Sequence, residues 1–116
     1  MKNALEIYDI AVKEITERIP DASLKFICCD DEALSCSGYF YIFDGTKYIV
    51  HEHDMGRLTG VRELYSEEDC LWDMIKETIL CSAYKKADRE AWFRKFEDLY
   101  PERVDSEIKN LSYEFL

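Results

Sequence analysis

The chain has 116 residues, of which 47% are hydrophobic, and a formal net charge of −10 at pH 7. This length fits one domain with its own core, and the apolar content excludes a disordered acidic tail. The charge disfavours nucleic acid and anionic membranes as partners, and no apolar run approaches the roughly 18 residues that span a bilayer. The N-terminus becomes acidic at Glu6 and is not typical of a secretory signal. We therefore expect a single cytoplasmic domain over residues 1–116 that is monomeric.

The first predicted element is an amphipathic helix over residues 2–19, which Pro20 ends. Its apolar residues recur at helical spacing and are expected to form the buried face, namely Leu5, Tyr8, Val12, Ile15 and Ile19. A short strand over residues 24–29 follows. The next predicted element is a polar loop over residues 30–37.

A β-hairpin is the clearest local pattern. Two aromatic-rich runs flank Asp44-Gly45, the dipeptide that supplies the positive φ angles of a two-residue type I′ turn. Such a turn predicts that Phe43 faces Thr46, that Tyr41 faces Tyr48, and that Tyr39 faces Val50. Both faces of this pair are largely apolar, so we expect the pair to lie in the middle of a sheet with helices on at least one face.

A third strand over residues 58–65 is expected at a sheet edge or in a half-solvated position, because it carries Arg62 and Glu63. Ser66 is a good N-cap for the helix that follows it. Helical periodicity then continues to about Tyr100, as one helix or two, and Pro101 is expected to end it before a last short helix capped by Asp105 or Ser106. The predicted fold is α+β, a three- to four-stranded antiparallel meander packed by N-terminal and C-terminal helices.

Chemical sites are weakly indicated. His51 and His53 would share one face of a strand and could hold a metal ion, but no second ligand pair has recognisable zinc spacing. The five cysteines are odd in number and have no Cys-x-x-Cys spacing, which fits reduced thiols in a cytosol. We therefore expect no metal, no cofactor and no enzymatic activity, and keep a metal enzyme built on the two histidines as the weakest alternative.

Acidic residues concentrate in the middle of the chain. Residues 24–83 contain twelve acidic and five basic residues, which is −7 of the net −10. This excess is typical either of ordinary solubility or of an acidic docking face for a cationic protein.

One segment of the chain resembles a known family. The residues that carry the resemblance are the run YFYIFDGTKYIV over 39–50, then Glu52, a Gly/Arg turn, and ELYSEED over 63–69 before Leu71-Trp72. Over residues 38–80 this pattern is similar to immunity proteins of bacterial contact-dependent growth inhibition and polymorphic toxin systems. The resemblance implies a small cytosolic protein, not an enzyme, that binds one cognate toxin domain and blocks it.

The resemblance further implies a basic partner, because such toxins are often nucleases such as RNases or tRNases and must hold a polyanion. The acids that we expect to contact it are Asp30, Asp31, Glu32, Glu52, Asp54, Glu67 and Glu68. Tyr65 and Trp72 are candidate aromatic anchors, although either residue can equally belong to the core. The alternative from another class is a small regulatory or adaptor domain that uses the same sheet to bind a peptide or a protein.

Overall fold

The computed structural model describes residues 1–29 and 37–114. Its elements in chain order are α1 (Ala4–Arg18), a 3-10 helix (Leu24–Phe26), β1 (Ile27–Cys28), β2 (Gly38–Phe43), β3 (Tyr48–Asp54), β4 (Arg57–Leu64), α2 (Glu67–Ser82), α3 (Lys86–Arg94) and α4 (Pro101–Glu114). The four strands form one sheet in the order β1-β2-β3-β4. The α+β class, the N-terminal helix and the edge position of β4 are confirmed.

The sheet is mixed, which corrects the prediction of an antiparallel sheet. β1 pairs with β2 in parallel, with Ile27 opposite Tyr39, whereas the other two strand pairs are antiparallel. β1 has only two residues, so its side-chain pattern carries no information about direction. The predicted strand over residues 24–29 is also not continuous, because Leu24–Phe26 form a 3-10 helix and only Ile27–Cys28 are strand.

The loop between β2 and β3 has four residues and not the predicted two. The Asp44 carboxylate accepts hydrogen bonds from the backbone N–H groups of Thr46 and Lys47, each at 2.9 Å, and the Asp44 N–H donates to the Lys47 carbonyl. Phe43 therefore faces Tyr48. The predicted register was wrong by two residues, a shift that leaves every side chain on its predicted face.

The two-residue turn lies instead between β3 and β4. Met55 and Gly56 have φ angles of 55° and 78°, and Asp54 pairs with Arg57 on either side of them. Positive φ at both central positions is the requirement of a type I′ turn. Sequence preference for Asp-Gly placed this turn in the wrong hairpin.

Helices α1 and α2 cover one face of the sheet. Tyr41, Tyr48 and Val50 point toward them and are at most 1% exposed. Ile15 and Ile19 are buried as predicted, but nearer the N-terminus the buried positions are Ala4, Ile7 and Ala11, each one residue before the predicted Leu5, Tyr8 and Val12. The small side chains of the two alanines allow α1 to approach its neighbours closely, which leaves Leu5 at 57% exposure.

Helix α2 is buried on most of its surface. It begins after Ser66, as expected, where the Ser66 hydroxyl accepts a hydrogen bond from the Asp69 N–H. The sheet lies on one side of α2, and on the other side Trp72 stacks with Phe93 and Tyr100 at ring-centroid distances of 6.0 Å and 5.2 Å. A helix enclosed in this way has no single apolar stripe.

Pro101 begins α4 and does not end the preceding helix. Proline is well tolerated in the first turn of a helix, where its missing N–H has no intrahelical partner. Asp105 and Ser106 consequently lie inside α4 and do not cap it. No helix in residues 1–29 or 37–114 is long and apolar enough to cross a membrane.

Candidate protein-binding surface

The four described acids of the predicted docking patch lie in two separate places. Asp30, Asp31 and Glu32 fall outside the described residues. Glu52 and Asp54 lie at the C-terminal end of β3. Glu67 and Glu68 lie near the opposite end of β3. There the hydroxyl of Tyr48, the first residue of β3, donates to the Lys2 carbonyl, and the Lys2 N–H donates to Glu67. Along β3, Glu52 lies about 13 Å and Asp54 about 20 Å from Tyr48, so the two pairs of acids lie toward opposite ends of the sheet.

The two acids at the start of α2 already have cationic partners. The ammonium group of Lys2 lies 3.1 Å from Glu67, and the Lys2 backbone N–H also donates to this carboxylate. Both hydrogen bonds lower the pKa of Glu67. Arg103 lies 3.6 Å from Glu68 and 2.7 Å from Asp69. A partner would have to compete with these intramolecular ion pairs.

The two aromatic candidates have opposite environments. Tyr65 is 67% exposed, and its hydroxyl donates to the Glu63 carboxylate at 2.6 Å. Trp72 is 6% exposed and belongs to the core between α2 and the C-terminal helices. Burial removes Trp72 from the candidate surface anchors and leaves Tyr65.

The sheet face turned away from the core is apolar and keeps access to solvent. Its side chains alternate along β2, β3 and β4 with those of the buried face. We call this surface the open sheet face and define it by Phe40, Ile42, Ile49, His51, Val61 and Glu63. All six side chains are half-buried or exposed, and Val61 is 57% exposed. An accessible apolar surface of this kind marks a candidate interaction site.

Ionised carboxylates border one end of the open sheet face. Hydrogen bonds from Thr46 and Lys47 lower the pKa of Asp44, and hydrogen bonds from Tyr65 and Lys47 lower the pKa of Glu63. Lys47 lies 3.2 Å from Glu63 and partly offsets the negative charge. This border therefore combines fixed anionic groups with the exposed ring of Tyr65.

Strand β4 lies at the edge of the sheet and is eight residues long. In the part of the chain that the structure describes, only β3 pairs with it, so one side of its backbone can accept another strand. The edge is continuous with the open sheet face through Val61. The two features together form one contiguous candidate surface.

A buried ionic cluster fixes β4 to α2, and sequence reasoning missed it. Arg62 donates to both oxygens of Asp73 at 2.6 Å and 3.0 Å, and the Tyr41 hydroxyl donates to the same carboxylate at 2.6 Å. Glu77 lies 3.4 Å from Arg62 and 3.6 Å from Lys76. Burial raises the pKa of Glu77. This cluster is structural, because it joins the edge strand to the core.

A signal for this cluster was present in the sequence. Asp73 and Glu77 are four residues apart and therefore share one face of α2. Because Arg62 was interpreted as a solvated edge residue, these two acids had no predicted cationic partner. The alternation of β4 places Arg62 and Leu64 on the same inward face. An arginine on an inward face predicts a buried carboxylate opposite it.

The histidines and cysteines do not form a metal centre in the described residues. The rings of His51 and His53 are 6.4 Å apart, and no group of three His, Cys, Asp or Glu side chains in residues 1–29 and 37–114 could hold a metal ion. Burial raises the pKa of Cys29 and Cys70 to about 12 and that of Cys81 to about 11. These three thiols are protonated at neutral pH and are poor nucleophiles.

Comparison with protein-family models, with curated proteins and with solved structures gives no match. The described geometry defines an α+β domain whose sheet is covered by helices on one face and accessible on the other. Function is inferred from the chemistry of that accessible surface and from the sequence pattern of this chain.

Proposed function

We propose that this protein is an immunity protein that binds a basic bacterial toxin domain and neutralises it. The observation that carries the proposal is the open sheet face, which has an apolar centre and a border of ionised carboxylates. Protein interfaces commonly have an apolar core and a polar rim. The surface has the composition of a partner-binding site.

Charge supports a cationic partner. At a net charge of −10, encounter with a basic protein is accelerated, and nucleic acid is repelled. A nuclease toxin such as an RNase or tRNase must present basic groups to its polyanionic substrate. An acidic inhibitor can occupy those groups or bind beside them.

The resemblance to immunity proteins supports the class of partner. It covers residues 38–80, which include β2, β3, β4 and most of α2. These three strands supply every residue of the open sheet face. We propose that the immunity protein acts in the cytoplasm as a monomer that forms a one-to-one complex, without catalytic activity of its own.

A second candidate function is that of an adaptor domain, and the accessible edge of β4 favours it. Peptides frequently bind by adding a strand to such an edge, where main-chain hydrogen bonds provide affinity. This candidate predicts binding to an extended peptide, no rescue from a toxin, and no toxin gene near the gene for this chain.

Co-expression with the toxin domain encoded immediately upstream tests the proposal. We expect the wild-type protein to restore growth and to co-purify with the toxin, and Tyr65→Ala to weaken binding by about tenfold or more, because exposed aromatic anchors dominate many interfaces. The matched control is Tyr84→Ala, since Tyr84 is similarly exposed at 76% but follows α2 outside the sheet.

Two outcomes separate the candidates. Rescue by the wild type with unchanged affinity in Tyr65→Ala would place the interface elsewhere on the molecule. Absence of both rescue and binding, for a toxin domain shown to be folded and active, would reject the immunity function.

A further inference from the structure

The turn between β3 and β4 holds Met55 in a conformation that methionine rarely adopts. Its φ angle of 55° lies in the left-handed region, which glycine, asparagine and aspartate enter far more readily than other residues. Gly56 is an ordinary residue for the second central position of this turn, whereas asparagine is the residue favoured at the first. Methionine is therefore an unfavourable residue for the position that it occupies.

The described part of the fold gains little from this side chain in return. Met55 is 80% exposed, the largest exposed fraction among the large hydrophobic residues that the structure describes. Its backbone N–H donates to the Ser37 hydroxyl at 3.2 Å, a hydrogen bond that any residue except proline can make. Backbone strain that the surrounding packing does not repay is typical of functional positions.

Other exposed apolar side chains follow Met55 along β4. Leu58 is 56% exposed and Val61 is 57% exposed. Leu58 lies opposite His53, two residues beyond His51, so it extends the open sheet face toward the turn. Half of the eight large hydrophobic residues that the described chain exposes fall between positions 55 and 65. Such a concentration is typical of an interaction site, unlike single apolar residues scattered over a surface.

The border of the turn carries a net negative charge. Glu52 lines a cavity of about 320 Å³ beside the turn, and the Asp54 carboxylate accepts a hydrogen bond from the Ser37 hydroxyl at 3.1 Å. Arg57 lies opposite Asp54 in the strand register, so the two carboxylates exceed the local positive charge by one. The turn therefore combines an exposed apolar side chain with an anionic border, which is complementary to a cationic partner.

We propose that Met55 is an anchor that inserts into an apolar pocket of the toxin domain, and that lysine or arginine side chains border this pocket. An unbranched methionine side chain can fill an irregular apolar pocket, and its burial on binding supplies the stabilisation that the free protein lacks. Cations at the border of the pocket lie opposite Glu52 and Asp54. The inference rests on the proposed function, which supplies the partner, and it adds a contact outside the six residues of the open sheet face.

Met55→Asn tests the anchor, because it gives the Asn-Gly sequence that type I′ turns favour and removes the apolar side chain. We expect the urea midpoint of the free full-length protein to rise by about 0.3 M. We expect its affinity for the purified toxin domain encoded upstream, measured by calorimetric titration, to fall by about tenfold or more. Met55→Leu keeps an apolar side chain of similar volume and should stay within about threefold of the wild-type affinity.

Leu99→Asn is the matched control for loss of an exposed apolar side chain. Leu99 is 44% exposed and lies between α3 and α4, so its substitution should leave the affinity for the toxin domain unchanged. An equal loss of affinity in Leu99→Asn, or a loss in Met55→Leu as large as that in Met55→Asn, would overturn the insertion of Met55 into an apolar pocket.

The salt dependence of association tests the basic border of the pocket. Asp54→Asn should lower the association rate by about threefold at low ionic strength and have little effect in high salt, because charges at the rim of an interface act mainly on encounter. Equal association rates for Asp54→Asn and the wild type at low ionic strength would overturn the basic border.

The remaining outcomes separate this inference from the proposed function. Rescue by the wild type with unchanged affinity in Met55→Asn would reject the anchor and leave the immunity function standing. A lower urea midpoint in Met55→Asn would show that the methionine side chain stabilises the turn, and would overturn the inference from strain. A wild-type protein that neither binds nor rescues would reject the immunity function and the anchor with it.

Discussion

The two faces of the sheet differ although the same strands build them. Along β3, Tyr48 and Val50 are 0% exposed and pack beneath the helices, whereas Ile49 and His51, which alternate with them, keep access to solvent. Sequence hydrophobicity alone does not separate these positions. The difference arises because the helices of the described residues cover only one side of the sheet, which leaves an apolar surface with access to solvent on the other.

The two faces also hold their charges differently. On the covered side the charges are desolvated, and Arg62 is bound to Asp73 by two hydrogen bonds. On the open side Glu63 is exposed and pairs with a lysine that is itself partly exposed. The first arrangement fixes the position of β4, and the second can be rearranged by a partner at small cost.

The largest expected effect comes from the covered face. Asp73→Ala leaves Arg62 without its carboxylate and the buried Tyr41 hydroxyl without an acceptor. We expect a loss of about 3–5 kcal/mol in the free energy of unfolding, measured by urea denaturation. Asp9→Ala is the control, since Asp9 is exposed on α1, and it should change stability by less than about 0.5 kcal/mol. A loss below about 1 kcal/mol for Asp73→Ala would show that the cluster does not hold the edge strand.

A matched pair of valines compares the faces directly. Val50→Ala and Val61→Ala remove the same two methyl groups, one from a side chain that is 0% exposed and one from a side chain that is 57% exposed. We expect a loss of about 2 kcal/mol for the first and less than about 0.5 kcal/mol for the second. Similar losses in the two variants would mean that the open face is covered in solution.

A smaller effect concerns pH. Burial raises the pKa of Glu77 above its usual value of 4.5, so in the window above 4.5 the native state binds more protons than the unfolded state. Glu77 therefore costs stability as pH rises through that window. The pKa values of Asp44, Glu63, Glu67 and Asp98 are lowered, and their contribution is instead lost as pH falls.

The variant Glu77→Gln isolates the first of these effects, because the four carboxylates with lowered pKa values are common to both proteins. The stability of the variant relative to the wild type should increase as pH rises between about pH 4 and pH 7. Urea denaturation at several pH values measures it. A difference that is constant over this range would mean that Glu77 ionises normally in the folded protein.

Much of the fold could be predicted because local chemistry determines it. Ser66 starts α2 through its own side chain, and the strand alternation placed every residue of the hairpin on the correct face. The errors occurred at the hairpin turns, whose length the sequence pattern does not determine. Asp44 accepts hydrogen bonds that form a four-residue loop, and the tight turn occurs at Met55 and Gly56.

The site could be predicted less well because it depends on distances between elements. Glu52 and Glu67 looked equivalent as exposed acids, yet one lines a cavity and the other is paired with Lys2. Tyr65 and Trp72 could not be separated by residue type, since their burial depends on where α3 and α4 pack. The open sheet face could not be identified from the sequence, because it depends on which side of the sheet the helices cover.

Hydrogen–deuterium exchange of the one-to-one complex with the toxin domain encoded upstream tests the central claim most directly. The account predicts that complex formation slows amide exchange in β3 and in the edge strand β4, with α3 and α4 unchanged. Slower exchange confined to α3 and α4, with β4 exchanging as in the free protein, would contradict it.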